Sequence, residues 1–154
     1  MEISIIGLGS MGFNLALNLV SKGYKVLAYD SNKNVINNIK PETNDNIKIF
    51  NSIKSLCKNS SKQKLILISL PSNVVDTCID ELMLYLNKND IIADLGNSFF
   101  LDTRKRFLKV QEKQINFLGI GVSGGPNGAK EGPSIMAGGS KKAWEKIKKI
   151  FIDI

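Results

Sequence analysis

The chain has 154 residues, 43% of them hydrophobic and 23% charged, a balance that describes one soluble globular domain and excludes a disordered or fibrous protein. No apolar run approaches the about 18 residues of a membrane span, and the N-terminus shows no basic region with a cleavage site, so neither a membrane segment nor a signal peptide is expected. Histidine is absent, which removes histidine bases, triads and metal ligands, while the net charge of +7 raises a nucleic-acid reading that the chain must be searched for.

The chain opens on Ile3-Ser4-Ile5-Ile6, an apolar run that predicts a buried strand. Gly7-Leu8-Gly9-Ser10-Met11-Gly12 follows, and then a helical pattern with Met11, Leu15 and Leu19 on one face and Ala16 and Val20 beside them. A G-x-G-x-x-G placed between strand and helix predicts a dinucleotide site. Gly7 permits the tight turn, Gly9 lets backbone approach a pyrophosphate, and Gly12 lets the helix pack closely on the strand. The helix N-terminus then faces the phosphates. The competing reading is an ordinary strand-to-helix turn.

Gly23 ends the helix, and Lys25 to Tyr29 predicts a second strand running into Asp30-Ser31-Asn32. Asp30 lies 18 positions past Gly12, within reach of a ribose-binding carboxylate, which favours NAD and repels the 2′-phosphate of NADP. Lys33 nearby could offset that repulsion and leaves NADP possible, and a turn or helix-cap role for Asp30 competes with both. A short helix is expected over 32–39, ended by Pro41, then a loop over 42–46, a strand over 47–50 and a helix over 52–58. Lys64 to Leu70 predicts a central strand stopped by Pro71, with Ser72 capping a helix through Leu86 whose inward face is Val75, Ile79, Leu82 and Leu86. A strand at 91–93 ends in Asp94-Leu95-Gly96-Asn97-Ser98. A helix over 101–113, a strand at 116–118 and a glycine-dense loop from Gly119 to Gly125 follow. The last helix, 140–151, sets Lys141, Lys142, Lys146, Lys148 and Lys149 against a face of Ala143, Ile147, Ile150 and Phe151, with Trp144 close by. This is a solvated lysine face; with no RNA- or DNA-binding motif, no nucleic-acid partner is expected. Cys57 and Cys78 lack metal or redox spacing, which fits buried free thiols in a cytoplasmic protein without a metal.

Strands alternating with helices of these lengths predict an α/β fold, a Rossmann-type doubly wound and mostly parallel sheet with helices on both faces. Ligands bind beyond the carboxyl ends of such strands. The Gly7–Gly12 turn, Asn97-Ser98 and Val122-Ser123-Gly124-Gly125 all fall there, the last two offering an amide, two hydroxyls and unhindered backbone N–H groups for a carboxylate or polyol. Turn formation alone is the competing account of Asn97 and these glycines.

Two segments carry a resemblance. Asp94-Leu-Gly-Asn97-Ser98-Phe-Phe-Leu-Asp102-Thr103-Arg104-Lys-Arg106 resembles the D-G-G-N-S-x-x-x-D-T-x-R-R segment of the 6-phosphogluconate dehydrogenase family. Gly121-Val-Ser-Gly-Gly125-Pro-Asn-Gly128-Ala-Lys-Glu-Gly132-Pro133-Ser134-Ile-Met136-Ala-Gly138-Gly139 resembles its G-V-S-G-G-E-x-G-A-R-x-G-P-S-x-M-P-G-G. The likeness extends to the N-terminal glycine turn and so over nearly the whole chain. It implies that 1–154 is the NAD(P)-binding domain, with Gly7, Leu8, Gly9, Ser10, Met11, Gly12, Asp30, Ser31, Asn32, Leu70 and Asn97 on the dinucleotide. Asn97, Ser123, Gly124 and Gly125 would contact 6-phosphogluconate. It also implies oxidation at C3 and loss of CO2 to give ribulose 5-phosphate, in the pentose phosphate pathway. By the same resemblance the catalytic lysine and glutamate, and the helical domain that makes family members homodimeric, lie beyond Ile154.

The sequence departs from the family at two further places. Asp30-Ser31-Asn32 stands where many members carry Asn-Arg-Thr, and Leu70-Pro71-Ser72-Asn73 where they carry Val-Lys-Ala-Gly or Val-Pro-Ala-Gly. Two other readings stay open: a 3-hydroxyisobutyrate-type 3-hydroxyacid dehydrogenase, which typically shows D-x-S-T at the Asp94 segment, and a stand-alone dinucleotide-binding module without catalysis.

Overall fold

The computed structural model describes residues 2–39 and 45–154, so the expected stop at Pro41 and the loop positions 42–44 lie outside the described residues. Among the described residues, seven strands form one sheet: β1 (Glu2–Ile6), β2 (Lys25–Tyr29), β3 (Ile47–Phe50), β4 (Leu65–Ile68), β5 (Ile91–Asp94), β6 (Asn116–Ser123) and β7 (Ser134–Gly139). Their spatial order is β3-β2-β1-β4-β5-β6-β7. Every neighbouring pair is parallel except β6 and β7, which run antiparallel. The order reverses between β1 and β4, so the crevice at a doubly wound sheet's switch point opens above the ends of these two strands.

Helices cover both faces. On one face α1 (Ser10–Ser21), α6 (Gly125–Glu131) and α7 (Lys141–Asp153) pack over a core of Ile3, Ile5, Leu15, Leu19, Ile147 and Phe151. On the other, α3 (Ile53–Asn59), α4 (Ser72–Leu82) and α5 (Phe100–Gln111) pack over Ile66, Ile68, Val75, Ile79 and Phe117. The short α2 (Lys33–Ile39) follows β2. The strands β4 and β5 are buried along their whole length, which explains why they read as unbroken apolar runs. On α7, Ala143, Ile147, Ile150 and Phe151 are buried, Trp144 stacks on Phe151, and the lysines face outward, as the amphipathic pattern requires. Ser140 caps this helix by accepting a hydrogen bond from the Ala143 N–H.

Three expectations are corrected. Ser72 is the first residue of α4, not its cap; Pro71 occupies the cap position and supplies no side-chain bond. That helix ends at Leu82, although Leu86 beyond it is still buried. The glycine-dense segment is not a loop: Gly119 to Ser123 continue β6, Gly125 opens α6, and Ser134–Gly139 return as β7. A glycine at 119 lets α5 approach the strand closely, because an added Cβ there would meet Thr103 Cγ2 at 2.5 Å and force that side chain or helix to shift.

Candidate functional site

The site begins at the turn after β1. Gly7 has φ +95°, and a Cβ there would sit 2.2 Å from the Ser69 carbonyl oxygen at the end of β4. Only glycine combines that backbone angle with that approach. A Cβ on Gly12 would lie 2.0 Å from the Gly7 carbonyl oxygen, so α1 is pressed directly onto the turn. Gly9 is the opposite case, with no heavy atom within 4 Å of its missing Cβ. The space above it belongs to a cavity of about 310 Å³ lined by Gly9, Ser10, Met11, Gly12, Leu70 and Asn97, among others.

The first intrahelical bond of α1 runs from the Phe13 N–H to the Gly9 carbonyl, and Gly9 provides no side-chain cap. The N–H groups of Ser10, Met11 and Gly12 therefore belong to the first turn, where a helix has no internal acceptors, and no acidic side chain occupies that turn. Free donors, the positive end of the helix dipole and open space over a glycine fit a pyrophosphate. Leu8 takes a different part from its neighbours. Its side chain is buried in the core, and its N–H donates to Asp30 Oδ2 at 2.7 Å.

Asp30 ends β2 with both carboxylate oxygens engaged, Oδ2 with Leu8 and Oδ1 with the Asn32 N–H at 2.7 Å. The turn role and the site role thus coexist, since each oxygen keeps a further lone pair. Asn32, rather than Asp30, accepts from the first turn of α2, through Oδ1 and the Asn34 N–H at 3.0 Å. Asp30 and Ser31 line a cavity of about 270 Å³ with Tyr29, Leu70, Val74 and Glu81. Asn32 does not line it. Cys78, also on this wall, is pushed up to about 12 by burial first and the Glu81 charge second, so its thiol stays protonated.

Asn97 joins the two remaining parts. It has φ +51°, a left-handed conformation that Asn tolerates. Its Oδ1 accepts from the Val122 N–H at 3.1 Å, and its Nδ2 donates to the Val122 carbonyl at 3.3 Å. The carboxamide thereby fastens the end of β5 to the end of β6, immediately before Ser123, Gly124 and Gly125, all three exposed. It lines the cavity above α1 and also a second one of about 350 Å³ bounded by Ser98, Phe100, Thr103, Gly119 and Gly121. Ser123, Gly124 and Gly125 line neither.

Near Asn97 lies an ion cluster around a buried arginine, with Asp94 buried and Asp76 exposed, whose partners the sequence does not reveal. Arg106 of α5 is 2% exposed. Its Nη1 donates to Asp94 Oδ2 at 3.0 Å and to Ser98 Oγ at 2.6 Å, and its Nε donates to Asp76 Oδ1 at 2.7 Å. Nη2 reaches the Ser72 carbonyl at 2.9 Å. Ser98 Oγ also donates to Asp94 Oδ2 at 2.7 Å, so its proton is engaged inside the cluster and one lone pair remains toward the cavity it lines. The hydrogen bonds from Arg106 hold the Asp76 carboxyl below the usual carboxylate range, and the same partner holds the guanidinium above its ordinary value. Asp94 is thus a neutralised strand end, while Lys130 and Glu131 are exposed on α6. Among the described residues, no group of His, Cys, Asp or Glu is arranged to hold a metal ion, and no helix is long and apolar enough to cross a membrane.

Fold, glycine turn and switch-point cavity define a dinucleotide-binding domain of the doubly wound class. A family model described as the NAD binding domain of 6-phosphogluconate dehydrogenase matches residues 2–154, and the chain belongs to that family. It is 37% identical over 156 aligned residues to the decarboxylating 6-phosphogluconate dehydrogenase of Chlamydia muridarum, covering 99% of this chain and 33% of that protein. With the enzyme of the same name from Candida albicans it shares 40% identity, covering 99% of this chain and 30% of that one. The chain therefore spans about a third of the length of these relatives. Plasmodium falciparum 6-phosphogluconate dehydrogenase, solved alone, with NADP+ and with 6-phosphogluconate, superposes with a TM-score of 0.92 at 32% identity over 98% of this chain and 33% of that one. A Mycobacterium tuberculosis 3-hydroxyisobutyrate dehydrogenase superposes with a TM-score of 0.88 at 21% identity over 99% of this chain and 51% of that one, a likeness of fold.

Proposed function

We propose that this chain is the coenzyme-binding part of a decarboxylating 6-phosphogluconate dehydrogenase, and that it prefers NAD to NADP. The observation that carries the reading is the double role of Asn97, which lines both the cavity at the N-terminus of α1 and the cavity over β6. A dinucleotide lying from the Asp30 cavity, past the shared wall residue Leu70, through the cavity above α1 to Asn97 ends beside the cavity over β6, where a sugar acid would be held. The N–H groups of Ser10, Met11 and Gly12 hold the pyrophosphate, and Asp30 accepts from the adenosine ribose hydroxyls. After its two bonds to Val122, Asn97 keeps one N–H and one lone pair for ligand, and the exposed Ser123 hydroxyl stands next in line.

The nicotinamide of the bound cofactor supplies the hydride acceptor for oxidation at C3. Removal of the C3 hydroxyl proton needs a base within hydrogen-bond reach. Among the described residues, the cavity over β6 offers one carboxylate, Asp94, and Arg106 neutralises it. Base and acid are accordingly assigned outside these residues, in line with the resemblance.

The preference for NAD rests on Asp30 and on Ser31, which brings no cation to the cavity. NADH is expected to bind at least about tenfold more tightly than NADPH, the scale of one phosphate denied a guanidinium and facing a carboxylate. Asp30→Asn with Ser31→Arg should reverse the order. It should also weaken NADH, because an asparagine can accept from Leu8 or Asn32 through one oxygen but not from both as the carboxylate does. Tighter binding of NADPH by the unaltered chain would refute the assignment of Asp30. In a full-length protein containing this chain, Asn97→Ala and Ser123→Ala should depress 6-phosphogluconate turnover while sparing NADH affinity. Normal turnover in both variants would remove the substrate assignment.

A further inference from the structure

The cavity at the Asp30 end has an apolar floor that includes the buried Ile6 and Ile53, a size of about 270 Å³ and an opening toward solvent, proportions suited to an adenosine group. Its charged lining consists of two carboxylates, Asp30 from the end of β2 and Glu81 from the last turn of α4. Among the described residues, no lysine or arginine lines it and none forms an ion pair with Glu81. The two acids stand on different elements and border the same space. Tyr29, between them on the wall, registers both: its phenol is raised by burial first, then by Glu81, then by Asp30. Asp30 is held in place by the N–H groups of Leu8 and Asn32, whereas Glu81 stands on an exposed stretch of α4.

We propose that Glu81 is a second specificity-determining residue of the dinucleotide site, acting with Asp30 across the adenosine cavity to exclude a ribose 2′-phosphate. The proposal rests on the dinucleotide reading above. A 2′-phosphate carries close to two negative charges at neutral pH, and its ester lies on the ribose that Asp30 receives. Asp30 opposes it at short range and through a lost hydrogen bond. Glu81 opposes it through space, because it brings negative charge to a cavity that no lysine or arginine of the described residues lines. The apolar floor keeps part of the intervening path out of bulk water, which strengthens the repulsion relative to two fully solvated groups. Neutral adenosine meets no such penalty, so the residue discriminates between cofactors. Reading specificity from the residues after β2 alone would miss this contribution, because Glu81 lies on another element more than 50 positions downstream.

The test is the ratio of the NADPH to the NADH dissociation constant, measured by calorimetric titration of the whole 154-residue chain. Glu81→Gln keeps the size and hydrogen-bonding capacity of the side chain and removes the charge; Glu81→Lys inverts it. Glu145→Gln, an exposed change on α7, serves as the control. In buffer of low ionic strength, Glu81→Gln should lower the ratio about threefold to tenfold, the effect of one partly screened charge on a dianion, and Glu81→Lys should lower it further. Raising salt to about 0.3 M should shrink the difference between the unaltered chain and Glu81→Gln, as screening requires. The control should leave the ratio where it was. If both Glu81 variants keep the ratio of the unaltered chain while NADH still binds, Glu81 has no part in selection and the dinucleotide reading survives. If the unaltered chain binds neither NADH nor NADPH, the reading and this inference fall together.

Discussion

Replacing Gly12 with alanine would set a methyl carbon 2.0 Å from the Gly7 carbonyl oxygen and 3.1 Å from Ser69 Cβ. Backbone oxygen cannot retreat as a flexible side chain can, so α1 must shift away from β1 by more than 1 Å or so, the gap between this contact and an ordinary one. Overpacking of this kind costs about 1–3 kcal/mol. The shift also moves the N–H groups of Ser10 and Met11 out of alignment with the cavity. Gly9→Ala is the informative companion. Gly9 has φ −60°, which alanine adopts freely, and nothing lies within 4 Å of the new methyl group. The loss of a glycine at the cap position and the gain from a stiffer unfolded chain are of similar size and opposite sign, so stability should change by less than about 0.5 kcal/mol. Yet the methyl group occupies the space through which the pyrophosphate approaches, and NADH affinity should fall at least about tenfold. Urea denaturation gives the stability of each variant and calorimetric titration its affinity. A Gly9→Ala chain that binds NADH as tightly as the unaltered one would refute the placement of the pyrophosphate, and a fully stable Gly12→Ala chain would refute the packing argument.

Three further outcomes are expected. Arg106→Met leaves Asp94 buried without its cation and should destabilise the chain by about 3–5 kcal/mol, with Asp94→Asn in the same molecule restoring part of the loss; equal stability of the single and double variants in urea would contradict the pairing. The folded pKa of Asp76 is depressed, so its contribution to stability is complete above the ordinary carboxylate range near about pH 4 and is lost as pH falls through the lower folded value. Denaturation midpoints of the unaltered chain should therefore fall more steeply below that pH than those of Asp76→Asn, and parallel profiles would count against it. Purified chain mixed with NAD and 6-phosphogluconate should generate no NADH, since the residues described here offer no free acid or base at the substrate cavity; sustained turnover abolished by substitution of Lys130 or Glu131 would overturn that.

The alternation of strands and helices was legible in the sequence because the central strands are buried on both faces and read as plain apolar runs, and because α1 and α7 carry clean stripes. The glycine turn was legible because its three glycines have three separate steric duties. The segment from Gly119 to Gly139 was not. Glycine has poor strand propensity, and the residues that justify it there, Thr103 on α5 and Met136 on β7, lie far away in sequence. Strand β7, Ser-Ile-Met-Ala-Gly-Gly, shows no useful alternation and is an edge with most of its residues exposed. The Arg106 cluster left one overlooked signal: Arg106 falls on the same helical stripe as the buried Val110, and an arginine on an inward face requires carboxylate partners. Which carboxylates those are depends on α4 and β5 meeting at that point, and only the tertiary structure shows it. Asn97 was singled out as a ligand group, but its bonds to Val122 depend on the pairing of β5 with β6.

The most direct measurement is a two-dimensional amide NMR titration of the chain with NADH. Saturable shifts are predicted at Leu8, Ser10, Met11 and Gly12 on the turn, at Ser31 beside Asp30, and at Gly96 and Asn97 where the cofactor ends. The amides of Lys141 to Lys149 on the basic helix should stay in place. Shifts confined to that helix, with the glycine turn unmoved at saturating NADH, would contradict the claim that these residues form a dinucleotide-binding domain.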